Sequence, residues 1–140
     1  LENVYIFLQG VGLLNQTAIY AVRAMGFLAK QEPDTPILSS TIAADMNIPR
    51  NFLSKIINRL VQAGLVTAVR GRGGGVKLAR AGTDIYLAQV VELFMKVEAT
   101  RHCLMGLKAC DGSCGLHLRW RIISEQFEKL LHDTTVDQVF

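Results

Sequence analysis

Between Pro49 and Arg80 the chain switches its hydrophobic period, and this switch restricts the possible folds more than any other feature. Leu53, Ile56, Ile57 and Leu60 recur at the i, i+3, i+4, i+7 spacing of one buried helix face, which predicts a helix over 50–63. Gly64 supplies a left-handed stop and is followed by apolar Leu65. Residues 65–69 and 76–78 then read as two short strands joined by the turn Arg70-Gly71-Arg72-Gly73-Gly74-Gly75. The same stretch carries seven basic side chains, Arg50, Lys55, Arg59, Arg70, Arg72, Lys77 and Arg80, and no Asp or Glu, in a chain of net charge +3. A surface that is merely solvated mixes both signs, so one-sided charge of this kind points to a polyanion.

The residues upstream complete a pattern. Asn15 or Thr17 can cap a first helix running to about Lys30, with Ala18, Ala21, Met25 and Leu28 on one stripe, and Pro33 and Pro36 end it. Ser39 or Ser40 is expected to cap a second, short helix over 41–46, and Asn47-Ile48-Pro49 makes a tight turn into the third. Two helices in that relation followed by a basic hairpin give the order of a winged helix-turn-helix. The outward face of the third helix shows Asn51, Ser54, Lys55, Asn58 and Gln62, flanked by Arg50 and Arg59, groups that hydrogen-bond base edges and phosphates. The expected DNA-binding residues are therefore Arg50, Asn51, Ser54, Lys55 and Arg59 on the helix, with Arg70 and Arg72 on the wing. The triple glycine is not a nucleotide-binding loop, because the Lys-Ser/Thr ending and the following helix are both missing.

Downstream, Ile85-Tyr86 reads as a short strand and 87–97 as a fourth helix through Val90, Val91, Phe94 and Met95. From Leu116 a long helix places Leu116, Trp120, Ile123, Phe127 and Leu130 at alternating four-and-three spacing, an a/d seam that predicts a homodimer interface. Thr135 and Gln138 form a capping box for a short terminal helix. The expected fold class is mainly α with a small β-wing: a winged helix-turn-helix over 11–97, a cysteine-rich loop over 98–117, and a dimerisation helix with its terminal turn over 116–140. Residues 1–10 are set aside as the remnant of an expression tag, since ENVYIFLQG looks like a garbled viral-protease site. Its apolar run is too short to span a bilayer, so the expectation is a cytoplasmic protein with no membrane partner.

All three cysteines fall in one loop, Cys103, Cys110 and Cys114, with His117 three residues beyond the last. An odd cluster among glycines argues against a disulfide framework and for metal or redox chemistry. Thiolates with an imidazole suit zinc as well as an iron–sulfur cluster. A bare-thiol switch, or cysteines packed as small hydrophobes, stay open on spacing alone. Cys114 and His117 lie one turn apart at a helix start, where the helix N-terminus favours an anionic centre. His102 reads as a bystander, His132 as a surface residue and Asp111 as a weak alternative ligand. No acid–base pair or activated nucleophile stands outside the loop, so the chain is read as not an enzyme. A carrier of clusters or electrons is the rival of another class, and it leaves the acid-free stretch without a purpose.

Four phrases together carry a family resemblance: Tyr20-Ala21-Val22-Arg23-Ala24-Met25, the wing from Val69 to Gly75, Val97-Glu98-Ala99-Thr100-Arg101, and Cys114-Gly115-Leu116-His117-Leu118-Arg119-Trp120-Arg121. With these, the chain after Val11 resembles the Rrf2 family of bacterial regulators, and within it the iron–sulfur regulator branch. The resemblance implies a homodimer on a near-palindromic operator in double-stranded DNA, with crossed long helices and a cluster near the dimer interface. It implies that Asn51, Ser54 and Arg70 read DNA, and that Cys103, Cys110, Cys114 and His117 hold a 2Fe–2S cluster. Other branches take an acidic ligand from the first helix, where Ile19 stands here. The spacing C-x6-C-x3-C is tighter than in better-known members, which bears on cluster type. Regulation by zinc, by thiol oxidation or by a partner protein is the alternative within this fold.

Overall fold

Asn15 begins the fold as sequence logic requires: its side-chain oxygen accepts from the Ala18 N–H at 2.8 Å and caps α1 (Gln16–Ala29). Such a cap is worth about 1 kcal/mol. The structure, a computed structural model, describes residues 13–98, 103–105 and 112–140. The expected tag remnant at 1–10, together with Cys110, Asp111 and His102, lies outside the described residues. α1 buries Ala18, Ala21, Ala24, Met25 and Leu28 and forms the central post of the core.

α2 (Ser39–Asp45) and α3 (Arg50–Gln62) pack on each other and α3 on α1. Neither Ser39 nor Ser40 caps α2, which corrects the expectation. The cap position is Leu38, whose carbonyl takes the Thr41 and Ile42 N–H groups, and both serines stand inside the first turn. Asn47 adopts the left-handed conformation (φ 52°) that a short polar side chain tolerates, turning the chain into α3. At the far end Gly64 (φ 75°) donates to the Val61 carbonyl and Leu65 to the Leu60 carbonyl, the paired bonds of a Schellman stop.

β1 (Val66–Val69) and β2 (Gly75–Leu78) pair antiparallel, Val66 opposite Leu78 and Val69 opposite Gly75. Ile37, just ahead of α2, adds a bridge on the other side of β2: it and Val76 exchange two backbone bonds of 2.8 Å. The hairpin is thereby anchored near its turn to the segment that leads into α2.

The fourth helix is much shorter than its periodicity predicts. α4 covers only Leu87–Val91, after which Leu93 and Phe94 donate to Val90 and Val91 in a tightened turn. The Phe94 carbonyl is taken by the Asn15 side-chain amide at 3.0 Å, a bond from the start of the domain that favours the turn over continued helix. The strand expected at 85–86 is a single bridge between Tyr86 and Thr135.

α5 (Gly115–Asp133) lies on α4, burying Ser124, Phe127 and Leu131. The predicted seam is therefore split. Phe127 belongs to this chain's own core, whereas Leu116, Ile123 and Leu130 remain exposed, with Leu118 and Ile122 beside them. A heptad read along one helix records an apolar stripe without saying which neighbour covers each residue. After α5 the chain returns: Leu87 donates to the Thr134 carbonyl (2.8 Å), Val136 to that of Ile85 (2.9 Å), and a terminal turn over Val136–Gln138 packs on α1. Gln138 accepts from the Thr135 N–H, as the capping-box pattern predicts. Among the described residues no helix is long and apolar enough to cross a membrane.

Candidate nucleic-acid interface and metal centre

Because α3 buries Leu53, Ile56, Ile57 and Leu60, its opposite face is turned out by helix geometry alone. Arg50, Asn51, Ser54, Lys55, Asn58 and Arg59 are all exposed there. The Ser54 hydroxyl donates back to the Arg50 carbonyl at 3.0 Å, which holds it against the helix and leaves its lone pairs outward. Ser39 and Ser40 of α2 border, with Arg50 and Ser54, a small cleft of about 120 Å³. No acidic side chain is among the residues that line it.

On the wing, Arg70 and Arg72 are exposed at the tip. Gly71 (φ 88°) and Gly73 (φ 74°) make the turn in a conformation side chains rarely adopt, with open space around both. Gly75 answers to a different demand. A Cβ there would lie 2.4 Å from the Ile37 carbonyl oxygen, so its bareness serves the Ile37–Val76 anchor beside the turn. The basic stretch is not wholly unopposed in space. Lys77 pairs with Asp34, which the loop after α1 brings across from 43 residues away. The Lys77 hydrogen bond and its charge hold the Asp34 carboxyl below the usual carboxylate range. Lys77 is therefore shared with an acid, while Arg50, Lys55, Arg59, Arg70, Arg72 and Arg80 are exposed.

The cysteine loop meets the N-terminus of α5. Cys114 caps that helix, its Sγ accepting from the Leu116 N–H at 3.3 Å, and His117 follows one turn on, its N–H donating to the Cys114 carbonyl. Gly112 (φ 80°) lies against the imidazole, where an added Cβ would stand 3.6 Å from Nε2. Cys103, Cys114 and His117 line one cavity of about 340 Å³, walled by Met105, Trp120 and Arg121 among others. The two thiols are half-buried and the imidazole is exposed. Among the described residues no three His, Cys, Asp or Glu side chains stand close enough to hold a single ion. The fourth expected ligand, Cys110, is outside them. Sequence reasoning overlooked Arg121, a cation in the cavity wall; its i+4 spacing from His117 was the available signal. Ile19 is half-buried on α1, and His132 lies outside the cavity, its Nε2 3.9 Å from a Glu92 oxygen.

Comparison with known proteins identifies the family. The profile of the Rrf2 family, described as iron-dependent transcriptional regulator, matches residues 14–140. The HTH-type transcriptional regulator IscR of Pectobacterium carotovorum subsp. carotovorum (strain PC1) is 32% identical over 123 residues, covering 86% of this chain and 74% of the relative. Among solved structures, IscR of T. potens superposes with a TM-score of 0.70 at 26% identity, over 90% of this chain and 85% of that one. CymR, the global cysteine regulator of B. subtilis, gives a TM-score of 0.75 over 90% of this chain and 94% of its own. At 20% identity that likeness speaks for the fold alone.

Proposed function

The chain belongs to the Rrf2 family of transcriptional regulators, and from that premise we propose that it binds operator DNA as a homodimer under the control of an iron–sulfur cluster. The observation that carries this reading is the joint placement of Cys103, Cys114 and His117 around one cavity at the start of the long helix. The donor set fits a cluster: half-buried cysteine sulfurs and an imidazole, at a helix N-terminus whose first turn holds no acid. Cys103, Cys110, Cys114 and His117 would be its ligands, and Ile19 supplies no competing carboxylate. When bound, a 2Fe–2S cluster supplies a centre that iron supply, redox state or nitric oxide can alter.

The chain's own residues do the rest. Asn51 and Ser54 face base edges in the major groove, with Arg50, Lys55 and Arg59 on flanking phosphates. Arg70 and Arg72 on the glycine turn reach the adjacent backbone or minor groove. The exposed residues Leu116, Ile123 and Leu130 pair with a second copy, so that two α3 helices address the half-sites of a near-palindromic operator. α5 joins the two functions. Its N-terminus carries Cys114 and His117, while Phe127, Leu131 and the backbone bond from Leu87 to the Thr134 carbonyl fix its other half to the DNA-binding domain. Ordering the loop can therefore alter the pose of α3 in the dimer.

The test is the visible spectrum together with iron and sulfide content of anaerobically purified protein. The reading predicts iron and sulfide in equal amounts and charge-transfer absorption that Cys103→Ser, Cys110→Ser and Cys114→Ser each abolish. Stoichiometric zinc with neither iron nor sulfide would contradict it, and would place the chain with regulators that use zinc or bare thiols.

A further inference from the structure

Along the first half of α3 one outward residue is not polar. Phe52 is 48% exposed, on the helix edge it shares with Lys55 and Arg59 at i+3 and i+7. Its ring is braced: the Tyr20 ring centroid lies 6.3 Å away at a 49° tilt, within the range of favourable aromatic pairs. The Arg23 guanidinium in turn sits 5.8 Å from the Tyr20 centroid, in cation–π range. Two side chains of α1, Tyr20 and behind it Arg23, thus hold a half-bare phenyl group in one place. A shallow groove of about 350 Å³ opens beside it, floored by Ile56 and Phe94 and edged by Lys55 and Arg59.

We propose that Phe52 is a specificity-determining residue that reads the 5-methyl group of a thymine in each operator half-site. The inference rests on α3 entering the major groove. With α3 so placed, Asn51 and Ser54 meet base edges and Arg59 meets phosphate, and Phe52 stands on the flank of the helix beside Lys55 and Arg59. The thymine methyl is the one apolar feature of the major groove and is read by apolar contact. A phenyl ring has no donor or acceptor, so it can recognise nothing else a base pair displays there. The two cations on its edge favour a polyanion over an apolar protein surface as the occupant.

The experiment uses the intact dimer and a duplex selected by it from a random library. Each thymine of that duplex is replaced in turn by uracil, which lacks only the methyl group, and the dissociation constant is measured at fixed salt. At one position per half-site the replacement should weaken binding about fourfold, the effect of one buried methyl, and Phe52→Ala should erase that sensitivity. Phe52→Leu, which keeps an apolar side chain, should retain part of it and guards against loss of fold, which thermal melting monitors. A wild-type protein that binds its selected duplex yet ignores every uracil would overturn the proposal, as would a Phe52→Ala variant that keeps the full uracil penalty. Conversion of Phe52→Ala and Phe52→Leu to monomers in sedimentation would overturn it too, by assigning the ring to a second copy. If the wild type selects no sequence at all, the fault lies earlier, with α3 as the reading helix.

Discussion

Replacing Gly75 by alanine tests how the wing is anchored. The residue has φ 150°, in a region that side chains rarely enter, and an alanine Cβ would approach the Ile37 carbonyl oxygen to 2.4 Å and its carbon to 2.5 Å. These are backbone atoms held by the two 2.8 Å bonds between Ile37 and Val76, so they cannot swing aside as a flexible side chain would. The backbone conformation costs about 1–3 kcal/mol in an alanine, and relief of the clash about 1–3 kcal/mol more. Gly73→Ala is the internal control: it shares a positive φ (74°) but meets no atom within 4 Å. Its cost should stop near the ~1–2 kcal/mol of a left-handed residue. Urea unfolding at one protein concentration, followed by circular dichroism, should place Gly75→Ala ~2–6 kcal/mol below wild type, and clearly below Gly73→Ala. DNA affinity should fall with the anchor, because Arg70 and Arg72 ride on the same hairpin. Equal destabilisation by the two substitutions would refute the claim that Gly75 is bare for the sake of Ile37.

Three further outcomes are expected. Arg72→Ala should weaken all duplexes alike and reduce the salt slope by about one unit, whereas Asn51→Ala and Ser54→Ala should flatten sequence preference, at roughly 1–3 kcal/mol on the selected site; competition binding at several salt concentrations separates the two. Phe127→Ala removes a buried ring and should destabilise the chain by about 3–5 kcal/mol, while Ile123→Asp, at a position 52% exposed, should dissociate the dimer and leave the folded monomer's stability within about 0.5 kcal/mol, as sedimentation and denaturation will show. Asp34, its carboxyl pKa lowered by Lys77, contributes stability that is present above the ordinary aspartate range and lost as pH falls through the depressed value; Asp34→Asn should flatten the acid end of a stability–pH profile, lying slightly below wild type near neutrality and converging with it at low pH.

What the sequence displayed, and what it hid, follows from the range of the interactions. Asn15, Gly64, and the Leu53–Ile56–Ile57–Leu60 stripe act within a few residues, so the start of α1 and the whole of α3 could be read directly. The early end of α4 could not, because the bond that takes the Phe94 carbonyl comes from Asn15, 79 residues away. Ser39 and Ser40 look like caps by composition, yet the Leu38 carbonyl closes the first turn of α2 and the serines are left on its surface. The pairing of Asp34 with Lys77 spans 43 residues, and no local pattern announces it. At the candidate metal centre the placement of Cys114 and His117 one turn apart at the start of α5 was legible. The cavity wall was legible only in part: Arg121 follows His117 by one helical turn, whereas Met105 enters it only through the fold.

One comparison is decisive: operator affinity of the reconstituted, cluster-loaded protein and of the cluster-free protein, measured anaerobically on the same selected duplex at one salt concentration. If a cluster on Cys103, Cys110, Cys114 and His117 sets the pose of α3 through α5, the two affinities differ by tenfold or more, a coupling of about 1.4 kcal/mol or above, and Cys114→Ser behaves like the cluster-free protein under both conditions. Equal affinities for a protein shown to carry its cluster would contradict control of DNA binding by that centre.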